Sequence, residues 1–308
     1  RCSRIFTSRP RIPVGWRGNG VLGRGVNVQP GPEAESFILA VGYHGAAFSG
    51  SQTQPDMPTV QGEIKSIIEE LNWSENAKIR LSSRTDSGVS ARMNLIDLEL
   101  EPTLMNNLDE SRIIRAIGDR LSSNLCVWGV SRRKSSLPIR LASSRTYLYR
   151  LDMIHGWNNE VDLDVLEEIC SIFTGKHDFS AFSRQDPDRL PVRTVDECSL
   201  WRRENGEIVG FKITAESFLW NQVRRMASAI NAVNSSNSSI DEIRDALRNP
   251  SQARDLGRAP ADALLLWNID HRDIPAHWAA SLPELPFHAP PLNSDPRAIA
   301  RWRATALS

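Results

Sequence analysis

Residues 81–94 read LSSRTDSGVSARMN and set Arg84, Thr85, Asp86 and Gly88 almost side by side between two strand-like runs. Loops carried on a rigid sheet are where reactive side chains tend to lie. Asp86 has two readings. As a turn former it accepts a backbone N–H while Gly88 supplies a positive φ. As a reacting carboxylate it needs a flat surface for a planar substrate and a cation to keep it charged. Both needs have candidates. Tyr147 and Tyr149, in SRTYLYR, fall on one face of a strand. They read either as a sheet stripe or as a platform on which a nucleobase stacks. Arg224, in NQVRRM, stands at the edge of a helical apolar face. It is either solvated or turned inward onto a carboxylate. A lone acid, a tyrosine platform and arginines suit a metal-free reaction on a nucleobase or a sugar.

Other chemistries lack their residues. The chain holds no G-x-x-x-x-G-K-[ST] phosphate loop, no H-E-x-x-H pair and no G-x-S-x-G elbow. GNGVLG at 18–23 does not follow a strand. Cys2, Cys126, Cys170 and Cys198 form no C-x-x-C pair, and the six histidines are scattered, so a zinc site is not expected. The four thiols read as reduced and cytosolic. Basic and acidic residues number 37 each, so the net charge is zero and any nucleic-acid surface must be a local basic patch. Candidates for it are Arg112, Arg115, Arg132, Arg133 and Lys134.

The elements that must position these groups follow from periodicity. A strand starts at Phe37–Val41. A helix follows, with Val60, Ile64, Ile67, Ile68 and Leu71 on one face and Thr59 as its cap. AKIRLSS and NLIDLELE are strands flanking the Asp86 stretch, the second alternating Ile96, Leu98 and Leu100 with Asp97 and Glu99. Asp109 caps a second helix, and LCVWGVSR is a strand. The second half opens on SRTYLYRLDM. A helix over VDLDVLEEICSIFTG is closed by Gly175. A hairpin turns at Asn205-Gly206. Two more helices follow, SFLWNQVRRMASAIN and SIDEIRDALRN, the latter with a Ser239–Glu242 capping box. ALLLWNIDH is the last strand. The pattern predicts an α+β protein of two similar α/β units, 36–135 and 136–275. Their mixed, largely antiparallel sheets carry helices on one face.

The ends read differently. Residues 1–32 carry Arg1, Arg4, Arg9, Arg11, Arg17 and Arg24 and no acid. Gly15, Gly18 and Gly20 argue against an amphipathic targeting helix, so 1–35 is expected to be a disordered basic arm rather than a transit peptide. Residues 276–308, with Pro283, Pro286, Pro290, Pro291 and Pro296, read as a mostly disordered tail. No apolar run approaches the ~20 residues of a membrane span.

Taken together, these stretches resemble the TruA family of tRNA pseudouridine synthases. SRTDSGVSA is similar to the R-T-D-x-G-V signature around that family's catalytic aspartate, and YHGAAFSGSQ to its opening motif. RTYLYR, FTGKHDFSAF, FLWNQVRRM and LLLWNIDH follow in the family's order, so the likeness runs from about 37 to 270. RTDSGVSA and FLWNQVRRM resemble archaeal members more than bacterial ones. His44, Ser51, Ser83, Ser87, Ser90 and Ala263 depart from the commoner family residues. The resemblance implies two similar domains with the active-site cleft between them, a homodimer that grips tRNA, and a cytoplasmic enzyme without metal or organic cofactor. The reaction it implies is isomerisation of uridine to pseudouridine at positions 38 to 40 of the anticodon stem-loop. It makes Asp86 the nucleophile, places Tyr147 against the target base, has Arg84 help extrude that base, and pairs Arg224 with Asp86. The alternatives are a catalytically silent tRNA-binding protein of the same fold and a base-releasing glycosidase.

Overall fold

The structure, a computed structural model, describes residues 33–278 apart from 159, 161, 185, 188, 203–205, 276 and 277. Nine strands and six helices alternate along these residues. In order they are β1 (Ala34–Tyr43), α1 (Val60–Glu70), β2 (Lys78–Leu81), β3 (Ser90–Glu99), α2 (Pro102–Asn107), α3 (Glu110–Gly118), β4 (Leu125–Ser135) and β5 (Ser144–Arg150). There follow α4 (Leu163–Phe173), β6 (Gly175–Asp178), β7 (Val192–Arg202), β8 (Ile208–Ala215), α5 (Gln222–Asn234), α6 (Ile240–Arg248) and β9 (Leu264–Asp270).

The α+β class is as expected, but the strands form one continuous sheet rather than one sheet per unit. Its order is β4-β1-β3-β9-β5-β8-β7-β6, with β2 added to β3. Every pairing is antiparallel except β3–β9, which is parallel through Ser90↔Leu265 and Ala91↔Leu266. That pair joins the strands of the first half to those of the second. β3 is used twice along one edge: Ile96–Glu99 pair with β2 while Ser90 and Ala91 pair with β9. The loop 82–89, with Asp86 in it, emerges where the partner changes.

Local chemistry sets most helix starts. Thr59 Oγ1 accepts from Gly62 N, Asp109 from Arg112 N and Asp162 from Asp164 and Val165 N, each meeting an N–H that has no partner within its helix. The capping box forms by half: Glu242 N donates to Ser239 Oγ at 3.2 Å, while the Glu242 carboxylate binds Ser238 and Arg254 instead. Gly175, with φ +106, directly follows the C-cap Thr174 of α4 and also opens the short strand β6, which periodicity does not predict. The hairpin of β7 and β8 is as read, and Gly206 holds φ +86; Asn205 lies outside the described residues.

Two expectations are corrected. β3 is not half-exposed as its alternation suggested, for Asp97 is 4% exposed. It is buried with partners, taking Ser36 Oγ at 2.5 Å, Arg80 at 3.0 Å and Arg133 at 3.6 Å, as a buried carboxylate must. The helix over SFLWNQVRRMASAIN begins only at Gln222. Asn221 has φ +63, a left-handed conformation that breaks the helical run, so Leu219 is buried in the preceding loop. The arm at 1–32 lies outside the described residues, and Ala34 and Glu35 already belong to β1. Of the tail at 276–308 only Trp278 is described, and it packs on Trp128 with ring centroids 5.9 Å apart.

Candidate active site

Asp86 is held over the seam of the sheet by a scaffold of buried polar contacts. Tyr43, at the end of β1, shares a hydrogen bond of 2.9 Å with Thr85 Oγ1. Asn94 of β3 donates to Tyr43 Oη at 3.1 Å and to Ser83 O at 2.8 Å, and accepts from Ser83 N. Ser51 clamps Thr85 from both sides: its Oγ accepts from Thr85 N at 2.8 Å, and its N–H donates to Thr85 O at 3.1 Å. Ser87 Oγ donates to Phe48 O, and Ser90 Oγ accepts from Gly45 N. The turn is closed by the backbone, Val89 N to Asp86 O at 3.2 Å, with Gly88 at φ +85. The Asp86 side chain is therefore not needed to form the turn.

The carboxylate meets two groups from far along the chain. Arg224 Nη1 lies 3.3 Å from Oδ2, and the indole Nε1 of Trp220 donates to Oδ1 at 3.2 Å. A tight charge-assisted pair runs about 2.7–2.9 Å, so this pair holds the carboxylate without clamping it in a bidentate fork. Arg224 is buried, and its Nε donates to Ala259 O at 2.9 Å. Burial lowers its pKa and the charge of Arg258 lowers it further, while Asp86 opposes both. The Asp86 side chain keeps 34% of its surface open, enough for a substrate to reach.

Tyr147 stands close enough for the charge of Asp86 to act on its phenol. It is 7% exposed, its hydroxyl is 3.4 Å from Ser83 Oγ, and its ring meets Phe218 edge-on at 5.3 Å. Burial raises the phenol pKa, and the charge of Asp86 adds to the rise, so Tyr147 is a neutral donor. Tyr149 shares the strand face but not the site. It is wholly buried, stacks on Phe211 at 5.9 Å and donates to Pro260 O, so a platform of two open tyrosines does not exist. Arg84 is exposed and forms no ion pair with Asp86 among the described residues.

The arginines near Asp86 are not those that the sequence singled out as a basic patch. Arg132, Arg133 and Lys134 pair with Phe37, Ser36 and Glu35, whereas the site touches Tyr43, ~20 Å further along β1 at strand rise. Arg133 is buried between Asp97 and Asp273, and Arg132 donates to the Met105 and Leu108 carbonyls. Arg112 and Arg115 bond carbonyls of their own neighbourhood. A run of basic letters on an edge strand says nothing of which end of the strand faces a ligand. Nearer the carboxylate stand Arg224, Arg258 acting on Arg224, and Arg184, whose guanidinium lies 4.0 Å over the Trp220 ring. Trp220, Arg184 and Phe218 were not read as site residues. The available signal was a tryptophan just before a helix start, where an apolar ring has no core to enter.

A family model described as tRNA pseudouridine synthase matches residues 169–271, from α4 to the end of β9. That stretch holds Arg184, Trp220 and Arg224. A curated tRNA pseudouridine synthase A of Pyrococcus furiosus is 32% identical over 238 residues, 77% of this chain and 84% of its own length. One from Methanocorpusculum labreanum is 33% identical over 76% of this chain and 79% of its own. A solved Cbf5-Nop10-Gar1 complex aligns over 64% of this chain and 53% of that one at 14% identity and a TM-score of 0.31, too remote to add to the argument. The partly open carboxylate–guanidinium pair and these archaeal relatives lead to one assignment: the chain belongs to the tRNA pseudouridine synthase family, enzymes of the isomerase class.

Proposed function

We propose that this protein isomerises uridine to pseudouridine in the anticodon stem-loop of tRNA, with Asp86 as the reacting carboxylate. The observation that carries the reading is the Asp86–Arg224 pair, formed by residues of opposite halves of the chain, with one face of the carboxylate open. The target uridine first leaves the base stack, since its glycosidic bond is out of reach inside a helix. Arg84, exposed at the lip of the loop, meets the RNA and helps hold the uridine out. Tyr147 supports the uracil from below. Asp86 initiates cleavage of the N1–C1′ bond; the uracil turns, C5 joins C1′, and the C5 proton is lost. Arg224, 3.3 Å away, holds the carboxylate by its opposite charge while the bound base excludes water. The protein acts on tRNA as a cytoplasmic homodimer and needs no metal or organic cofactor.

The test is to incubate the protein with an unmodified tRNA transcript, map pseudouridine base by base, and assay released uracil. The expected result is pseudouridine in the anticodon stem-loop, no free uracil, and no product with Asp86→Ala. Pseudouridine made by the variant would rule out Asp86 as the reacting group. Uracil release would favour a glycosidase, and tRNA binding without either product would favour a silent binder.

A further inference from the structure

Trp220 is 47% exposed, yet three contacts fix it in place. Its indole N–H donates to Asp86 Oδ1 at 3.2 Å. The Arg184 guanidinium lies 4.0 Å from its ring centroid. The Arg184 backbone N–H donates to the Trp220 carbonyl at 2.8 Å. Arg184 comes from the loop before β7 and Trp220 from the loop before α5, so one loop grips the other at backbone and side chain. A tryptophan joins an apolar ring to a polar N–H, and what sets Trp220 apart is where that N–H goes.

The two oxygens of Asp86 are divided between two donors. Oδ2 faces Arg224 and Oδ1 faces Trp220. Donors on both oxygens fix the plane of the carboxylate, which one donor cannot. Each oxygen keeps a second lone-pair site, so the group remains free to attack while it is held.

We infer that Trp220 is a positioning residue for Asp86, and that Arg184 fixes Trp220 by stacking on it. The inference rests on the reading of Asp86 as the reacting carboxylate.

Steady-state kinetics on tRNA of the wild type, Trp220→Phe and Arg184→Met provide the test. Trp220→Phe keeps a flat ring and removes the N–H. Its kcat is expected to fall roughly 10- to 100-fold, the range for losing a hydrogen bond to a charged group. KM stays within about twofold, because a kcat loss at fixed KM marks an interaction outside substrate binding. Arg184→Met leaves the donor but loosens it, and gives a smaller kcat loss in the same direction. Wild-type kcat in Trp220→Phe would overturn the inference, as would a loss confined to KM. If Trp220→Phe does not fold, as judged by its melting curve, Arg184→Met decides, and a wild-type kcat there counts against the proposal. A wild type that makes no pseudouridine defeats the functional reading instead, and the two failures are thereby distinct.

Discussion

At the scale of single residues, the site is a carboxylate held by long-range partners, Arg224 on one oxygen and Trp220 on the other. Burial lowers the Arg224 pKa and Asp86 opposes that. Arg224→Met removes the charge and keeps the bulk. Its kcat is expected to fall about 10²-fold, the scale for losing one preorganised electrostatic partner. A wild-type kcat in this variant would mean that Arg224 serves the fold alone. Sequence made Asp86 and Gly88 legible as a loop, and the family resemblance supplied the pairing with Arg224. Trp220 and Arg184 escaped notice because an exposed tryptophan and a loop arginine acquire meaning only once they touch. The serines that depart from the family signature, Ser51, Ser83, Ser87 and Ser90, turn out to scaffold the Asp86 loop.

At the scale of elements, the loop 82–89 depends on close backbone approach. A Cβ on Gly45 would sit 2.3 Å from the Val89 carbonyl carbon and 2.4 Å from Gly88. Backbone cannot yield as a flexible side chain can. Gly45→Ala is therefore expected to destabilise the protein by about 1–3 kcal/mol, the usual scale of overpacking. It should also lower kcat by shifting the turn that carries Asp86. Chemical denaturation with activity measured alongside checks both; a variant of unchanged stability would show that the contact relaxes freely. Capped helices were readable because Thr59 and Asp109 announce their own N–H partners. The start of α5 was not, since nothing in LWNQ marks Asn221 as left-handed. β6 was missed because GKHD carries no β-branched or aromatic residue.

At the scale of the whole molecule, the sheet passes through both halves of the chain without a break. Its parallel β3–β9 pair joins Ala91 to Leu266, a separation that no local periodicity encodes. Next to the end of β9, His271 is 1% exposed beside Asp273 and Arg133. Burial lowers its pKa and Arg133 and Arg272 add to this, while Asp273 opposes. A depressed folded pKa means that the unfolded chain takes up the proton first as pH falls. Stability is therefore complete above about pH 6.5, the ordinary histidine value, and declines below it. His271→Gln should flatten that part of the melting-temperature profile; parallel curves for the two proteins would exclude His271 as the cause.

The central claim is that Asp86 carries out the isomerisation. Formation of the C5–C1′ bond expels the C5 hydrogen, so tRNA labelled with tritium at uridine C5 reports the reaction directly. In a single turnover the wild type should release tritium to water, while Asp86→Asn should bind the same tRNA, melt like the wild type and release none. Tritium release by Asp86→Asn at the wild-type rate would contradict the account.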